Sequence, residues 1–90
     1  MLKRDKYRIT YEILKNCRLN MSKTRLMFAC NLNYVILTKY INELIAKGLI
    51  IEDQGKYTLT PKGLEFLKLL DTYIKLNEEI NKLENLLYNF

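Results

Sequence analysis

The sequence lacks histidine and tryptophan altogether, and it has only two cysteines among 90 residues. Without histidine, Cys17 and Cys30 have neither the partners nor the spacing that a zinc site requires. An isolated disulfide is unusual inside a cell, so we expect both to be small buried side chains on helices. The sequence also has no glycine-rich phosphate loop and no paired carboxylates with an evident pocket. It therefore predicts no metal, no cofactor and no enzyme activity.

Proline and long apolar runs are also scarce. A single proline and an apolar content of 49% argue against a disordered chain. The longest apolar runs, such as Leu49-Ile50-Ile51, are far shorter than the roughly 20 residues that span a bilayer. The charged start, residues 1–6, is not followed by the apolar region of a signal peptide. We therefore expect a cytoplasmic chain with no membrane partner, folded as one compact domain with an extension.

Acidic residues are scarce in the first half of the chain. Residues 1–48 carry ten Lys or Arg and three Asp or Glu, whereas residues 49–90 carry five Lys or Arg and seven Asp or Glu. The two halves thus have net charges of +7 and −2, which give the overall charge of +5. A basic front on a neutral or acidic tail indicates that the front meets a polyanion.

Three helices are predicted in the front part. The first begins after the N-cap Asp5 and runs to about Arg18, and Ser22 caps a short second helix that ends near Ala29. Asn33 caps a third helix, which ends at Lys47-Gly48. The apolar stripe of the first helix consists of Ile9, Ile13, Leu14 and Cys17. That of the third helix consists of Leu37, Ile41, Leu44 and Ile45.

A hairpin and a long helix follow. Residues 49–52 and 56–59 are apolar or β-branched and flank the turn Asp53-Gln54-Gly55, which predicts two antiparallel strands. Thr60 and Pro61 then provide the N-cap and the first residue of a long helix. The predicted fold is mainly α with a small β-hairpin: a winged helix-turn-helix followed by a long C-terminal coiled-coil helix. We expect two parts: a winged helix-turn-helix DNA-binding domain over residues 1–62 and a C-terminal dimerisation helix over residues 63–90.

The last third of the chain carries a heptad repeat, which needs a second helix to cover it. We expect it to form a homodimer, because a helix of this length, ~42 Å at ~1.5 Å per residue, exceeds the width of a small domain. The neighbouring Leu64, Leu67 and Ile74 are expected to pack on the same chain. Parallel pairing would bring Glu79 near Glu84 of the other copy, so antiparallel pairing is favoured. The apolar residues of the heptad repeat form a stripe that we call the seam: Phe66, Leu69, Tyr73, Leu76, Ile80, Leu83, Leu87 and Phe90.

Several stretches resemble one known family. The run from Lys23 to Tyr34 looks like the helix-turn-helix of small archaeal winged-helix DNA-binding proteins, and residues 39–50 and 57–63 are similar to the same family. In chromatin-associated members, the winged domain is followed by one long helix that pairs antiparallel in a homodimer. The resemblance implies that fold and double-stranded DNA as partner. Val35 and Ile36 depart from the small or polar residues usual in the family. They either contact thymine methyl groups, tuck inward or meet a partner protein.

The candidate DNA-binding residues lie at three places. Cations at the start of the second helix, the exposed face of the third helix and the hairpin tip suit phosphates and base edges. The alternatives are the solvated face of a core helix and a plain solvated turn. Lys3, Arg4 and Lys6 form either a phosphate-binding arm or a solubilising tail. The candidates are Lys23, Arg25, Asn33, Tyr34, Thr38, Lys39, Asn42, Gln54 and Lys56.

These observations predict a homodimeric, nucleoid-associated DNA-binding protein that acts in chromatin or as a transcriptional regulator. The third helix and the wing would contact duplex DNA, and the dimer would bridge or bend it. The alternative is a protein-interaction module whose winged helix does not touch DNA, and exposed Val35 and Ile36 would favour it.

Overall fold

Four helices and three short strands make up the computed structural model, which describes residues 4–90. The three strands form one antiparallel sheet in the order β1-β3-β2. The first three helices precede the hairpin, and the fourth extends from the end of the sheet. In chain order the elements are α1 Lys6–Cys17, β1 Met21–Ser22, α2 Lys23–Ala29, α3 Tyr34–Ala46, β2 Ile50–Asp53, β3 Lys56–Leu59 and α4 Pro61–Tyr88.

Each helix begins where a side-chain oxygen accepts a hydrogen bond from the backbone of its first turn. These bonds are 2.8–3.3 Å long. Such a bond satisfies an N–H group that has no partner within the helix, and it depends only on neighbouring residues. All four predicted helix starts are therefore confirmed, with the N-caps Asp5, Ser22, Asn33 and Thr60.

The sheet is built around β3. Its Tyr57 lies opposite Glu52 on β2 and opposite Met21 on β1. Gln54 and Gly55 close the hairpin with φ values of 51° and 76°, the pair of positive values that suits a tight two-residue turn. The sequence predicts no strand between the first two helices, so β1 was missed, because a two-residue strand has no detectable period.

The core lies between α1, α2, α3, the sheet and the first half of α4. Its fully buried side chains include Ile13, Leu14, Leu26 and Leu37. The prediction for α3 is wrong at one position: Ile45 is 40% exposed, because it lies on the edge of the stripe that the other three members bury. The sequence prediction also omitted Leu70, which is buried together with Leu67.

The first half of α4 belongs to this core. Gly63, Leu67, Leu70 and Ile74 are buried, and Ile74 marks the last buried position of the helix. From residue 78 to residue 90 every residue is exposed. The helix has 28 residues, and the long axis of the molecule measures 55 Å against 26 and 20 Å for the others. The division at residue 62 stays a prediction, and the core continues past it along α4.

Most side chains of the seam are uncovered. Its two earliest aromatic members contact the chain itself: Phe66 packs partly against the core, and the ring of Tyr73 lies 5.0 Å from that of Tyr7. The prediction for the neighbouring stripe is confirmed at Leu67 and Ile74, whereas Leu64 is 36% exposed. The seam members that are half or more exposed are Leu69, Leu76, Ile80, Leu83, Leu87 and Phe90.

Among the helices of residues 4–90, none is both long and apolar enough to cross a bilayer.

Candidate nucleic-acid interface

The helix-turn-helix joins α2 and α3 through residues 30–33. Asn31 takes a φ of 52° within this turn, and the backbone N–H of Leu32 donates to the carbonyl of Met27 over 3.1 Å. The Nζ atom of Lys23 lies 4.1 Å from the ring centroid of Tyr34. This cation–π contact holds the beginning of α2 against the beginning of α3. Two of the predicted DNA-binding residues are thereby brought together.

The exposed face of α3 is polar in its middle and apolar at its start. Lys39 and Asn42 are exposed, and they lie on one face with Val35 at spacings of four and three residues. The buried residues of the helix occupy the opposite face. Val35 is 76% exposed and Ile36 is 40% exposed, so neither side chain is tucked into the core.

Two of the predicted polar contacts are already used within the chain. The Oδ1 atom of Asn33 accepts from the backbone of Ile36, and the Oγ1 atom of Thr38 donates to the carbonyl of Tyr34, both over 2.8 Å. Thr38 is also half-buried. The amide N–H groups of Asn33 remain available to a ligand, whereas the single O–H group of Thr38 already donates to a carbonyl of the chain.

The predicted cations differ from most others in the chain because they have no acidic partner. Elsewhere Arg4 pairs with Glu12 at 2.6 Å and Lys75 pairs with Asp71 at 2.9 Å. Within residues 4–90, no carboxylate lies within 4 Å of the cationic groups on the helix-turn-helix or the hairpin. The positive charge of this surface is therefore not neutralised by ion pairs. The cations concerned are Lys23, Arg25, Lys39 and Lys56.

The hairpin has a mixed charge. Gln54 and Lys56 are exposed, and Lys56 lies opposite Asp53 in the strand pairing. On β3, burial and the neighbouring carboxylate of Glu52 raise the pKa of Tyr57 to about 12, so its hydroxyl stays protonated at neutral pH. The single cation of the wing therefore stands beside two carboxylates. Contact between the wing and DNA stays a prediction.

The N-terminal arm was predicted incorrectly at Arg4. Its guanidinium donates to the Glu12 carboxylate and to the carbonyls of Cys30 and Asn31 at the end of α2. Arg4 thus serves the fold, because it occupies carbonyl groups that the end of a helix leaves without partners. The other candidates of this arm are Lys6, whose Nζ lies 3.8 Å from Glu43, and Lys3, which lies outside the described residues.

The two cysteines are free and buried, as predicted. Burial raises the pKa of the Cys17 thiol to about 12, with a smaller contribution from Cys30, and it raises that of Cys30 to about 11. Both thiols are therefore protonated at neutral pH. Residues 4–90 contain no group of three or more metal-ligating side chains close enough to hold an ion.

The sequence prediction missed Phe28. Its side chain is 75% exposed near the end of α2. The position could have been identified, because a residue two places after the buried Leu26 points about 200° away from it around the helix.

Comparison with known proteins identifies the fold family. The model of the winged helix-turn-helix domain matches residues 3–78. The chain belongs to the winged helix-turn-helix family. The predicted fold class is thereby confirmed: α2 and α3 form the helix-turn-helix, and β2 and β3 form the wing.

Two archaeal relatives of this winged helix-turn-helix chain come from Methanocaldococcus jannaschii. Uncharacterized protein MJ0290 is 38% identical over 76 residues, which are 83% of this chain and 36% of the relative. Uncharacterized protein MJ0287 is 35% identical over 80 residues, which are 88% of this chain and 79% of the relative. The chain thus spans about a third of the length of the first.

Solved structures share the winged fold. The crystal structure of Sso10a-2, a DNA-binding protein from Sulfolobus solfataricus, covers 96% of this chain and 95% of its own, with 26% identity and a TM-score of 0.85. A MarR family transcriptional regulator from Silicibacter pomeroyi covers 71% of this chain and 49% of its own, at 18% identity and a TM-score of 0.61. The second likeness concerns the fold alone. Together with the archaeal relatives, the first confirms the resemblance to small archaeal winged-helix DNA-binding proteins.

Proposed function

We propose that this protein binds duplex DNA as a homodimer and acts in chromatin or as a transcriptional regulator. The observation that carries the proposal is the set of cations without acidic partners on the helix-turn-helix and wing. Such cations gain most from phosphates, because no internal ion pair has to be broken first. Lys23, Arg25 and Lys39 would contact phosphates, with Asn33, Tyr34, Thr38 and Asn42 beside them on α3, and Gln54 and Lys56 on the wing. The likeness to the DNA-binding protein Sso10a-2 supports this function.

Dimerisation through the seam is the second part of the proposal. Six large apolar side chains at heptad spacing are half or more exposed, and a second copy of the helix would remove them from water. Antiparallel pairing avoids the approach of Glu79 to Glu84 of the other copy. It also keeps the two basic fronts apart, which lowers their mutual repulsion.

Antiparallel pairing also limits what the dimer does to DNA. Two recognition helices that read adjacent half-sites lie about 34 Å apart on one face of the duplex. Fronts at opposite ends of a shared rod cannot easily read adjacent half-sites, which favours bridging two duplexes or bending one. A nucleoid location follows from this role.

A charge-reversal experiment tests the DNA-binding surface. We expect the triple variant Lys23→Glu, Arg25→Glu, Lys39→Glu to lower affinity for a random duplex by at least about tenfold, because each lost phosphate contact removes counterion release. The matched control reverses Lys68, Lys75 and Lys82 on the outer row of α4, which changes the net charge equally. Unchanged binding by the first triple variant would contradict this DNA-binding surface and favour the alternative, a protein-interaction module whose winged helix does not touch DNA.

A salt titration separates the two roles. The logarithm of the binding constant should fall linearly with the logarithm of salt concentration, with a slope of about −0.9 for each phosphate neutralised. A chromatin protein should bind random and selected duplexes with similar affinity. A preference of a thousandfold or more for one selected duplex would identify a gene-specific regulator instead.

A further inference from the structure

The outward face of α3 begins with an apolar residue. Val35 shares this face with Lys39 and Asn42, and it occupies the first turn of the helix. Its side chain is 76% exposed, and it is absent from the residues that pack against the core. Val35 therefore does not contribute to the stability of the core, and it lies where a recognition helix presents side chains to base edges.

Several polar groups around Val35 are engaged within the chain. The Asn33 oxygen caps the backbone of α3, the Thr38 hydroxyl donates to a carbonyl of the preceding turn, and the Nζ atom of Lys23 lies against the Tyr34 ring. Of the side chains in the first turn, Val35 is the one that points directly away from the core. The first turn of α3 therefore offers a branched apolar group where it faces outward.

The surroundings of Val35 determine what kind of surface it fits. Lys23, Arg25 and Lys39 are cations without acidic partners in the described chain, and they favour a polyanion over an apolar protein surface. The apolar group that duplex DNA presents in its major groove is the 5-methyl group of thymine. An apolar side chain on the same helix-turn-helix as these cations matches that combination.

We propose that Val35 selects thymine by packing its methyl groups against the 5-methyl group of that base in the major groove. The inference rests on the proposed DNA-binding function and names the base that the third helix reads. Asn42 lies about 10 Å further along the same face, and an asparagine amide suits the edge of adenine. The two residues together favour A/T-rich duplexes.

Removal of the methyl group from the DNA tests this inference directly. The full chain is titrated with two A/T-rich duplexes of identical sequence, one of which carries deoxyuridine at every thymine position. Uracil lacks only the 5-methyl group, so the phosphates and hydrogen-bonding edges stay the same. We expect the thymine duplex to bind about fourfold more tightly for each methyl group contacted.

Variants of the protein assign the effect to Val35. Val35→Ala should bring the ratio of the two affinities close to one and leave affinity for the uracil duplex within about twofold of wild type. The control is Leu19→Ala, which shortens an apolar residue that is 71% exposed outside α3, and it should keep the wild-type ratio. Two outcomes would overturn the role of Val35 without contradicting DNA binding. One is equal binding of both duplexes by the wild type, and the other is a Val35→Ala protein that keeps the wild-type ratio. Absence of binding to either duplex overturns the proposed function as well.

Discussion

Gly63, in the first turn of α4, lies close to the backbone of Leu49, the residue before β2. A Cβ atom at this position would lie 2.0 Å from the carbonyl oxygen of Leu49 and 3.0 Å from the Cδ2 atom of Leu59. The same Leu49 oxygen accepts the backbone N–H of Thr60 over 3.1 Å. The helix therefore starts in contact with the backbone of the front, and only a residue without a side chain fits there.

We expect Gly63→Ala to lower the free energy of unfolding by about 3 kcal/mol or more, because the clash is with backbone that has to move. This direction is opposite to that of helix propensity, which favours alanine by about 1 kcal/mol. Urea unfolding of the variant measures the effect. Lys68→Ala, on the exposed side of the same helix, is the control and should change stability by about 0.5 kcal/mol or less. A Gly63→Ala protein as stable as wild type would contradict the close contact.

The buried thiols make stability depend on alkaline pH. An exposed cysteine has a pKa near 9, whereas burial raises the pKa of Cys17 to about 12 and that of Cys30 to about 11. Below pH 9 the thiols are protonated in both states and stability is unaffected. As the pH rises from 9 towards 11, thiols ionise in the unfolded chain but not in the folded one, so stability falls.

We expect each thiol to contribute up to about 1.4 kcal/mol of this loss per pH unit. Urea unfolding at pH 8 and pH 10.5 measures it, and the double variant Cys17→Ala, Cys30→Ala should show a smaller decrease than wild type. Tyr57 remains in both proteins, so its ionisation cancels from the comparison. Identical decreases would show that the thiols do not titrate differently in the two states.

At the scale of elements, α4 carries two apolar stripes that differ in burial. The stripe from Gly63 to Ile74 is buried in the winged front, whereas the seam beyond Leu76 is exposed. The exposed half has few internal contacts to stabilise it, and an isolated helix of about 12–15 residues is marginal in water. A second copy would supply the missing contacts.

We expect Leu83→Glu to raise the dimer dissociation constant at least about 100-fold, because pairing would bury two unpaired carboxylates. Sedimentation velocity measures the oligomeric state. Far-ultraviolet circular dichroism should show a decrease in total helix content, because α4 beyond residue 78 loses its partner helix. Asn85→Glu adds the same charge on the outer side of the helix and should remain dimeric. A dimeric Leu83→Glu protein would indicate that the seam is not the interface.

The elements could be predicted from sequence wherever a local interaction defines them. The N-caps Asp5, Ser22, Asn33 and Thr60 act within three residues, and the turn at Gly55 requires positive φ. Contacts between distant segments left no such signal: Arg4 was assigned to an arm although it binds carbonyls some 26 residues away. Likewise, the apolar spacing of α4 could not show that Phe66 packs on the front of its own chain.

At the scale of the whole molecule, the charge and the shape are both asymmetric. The first 48 residues have a net charge of +7, and the remainder has −2. The long axis of 55 Å follows from the extension of α4 beyond the front. In the proposed dimer, the direction of pairing determines whether the two basic fronts lie together or at opposite ends.

We expect a spin label at Asn89→Cys, in the background without native cysteines, to report antiparallel pairing. An overlap from Leu76 to Phe90 separates the two labels by about 18 Å along the axis, and a longer overlap by more. Parallel helices would hold them about 10 Å apart, the distance between packed helix axes. Double electron–electron resonance measures the longer distance, and dipolar broadening of the continuous-wave spectrum reports the shorter one. The shorter distance would exclude bridging by a rod with fronts at opposite ends.

In the proposed bridging dimer, the continuity of α4 has a consequence for the angle between the two duplexes. No break separates the stripe that ends at Ile74 from the seam residue Ile80, so the number of residues between them fixes the rotational phase of the front relative to the dimer axis. One inserted residue turns the seam by about 100° relative to the front, whereas seven restore the phase to within about 20° and lengthen the rod by about 10 Å. If the protein bridges two duplexes as proposed, helix length in this segment would set the angle between the DNA axes in steps of about 100° per residue.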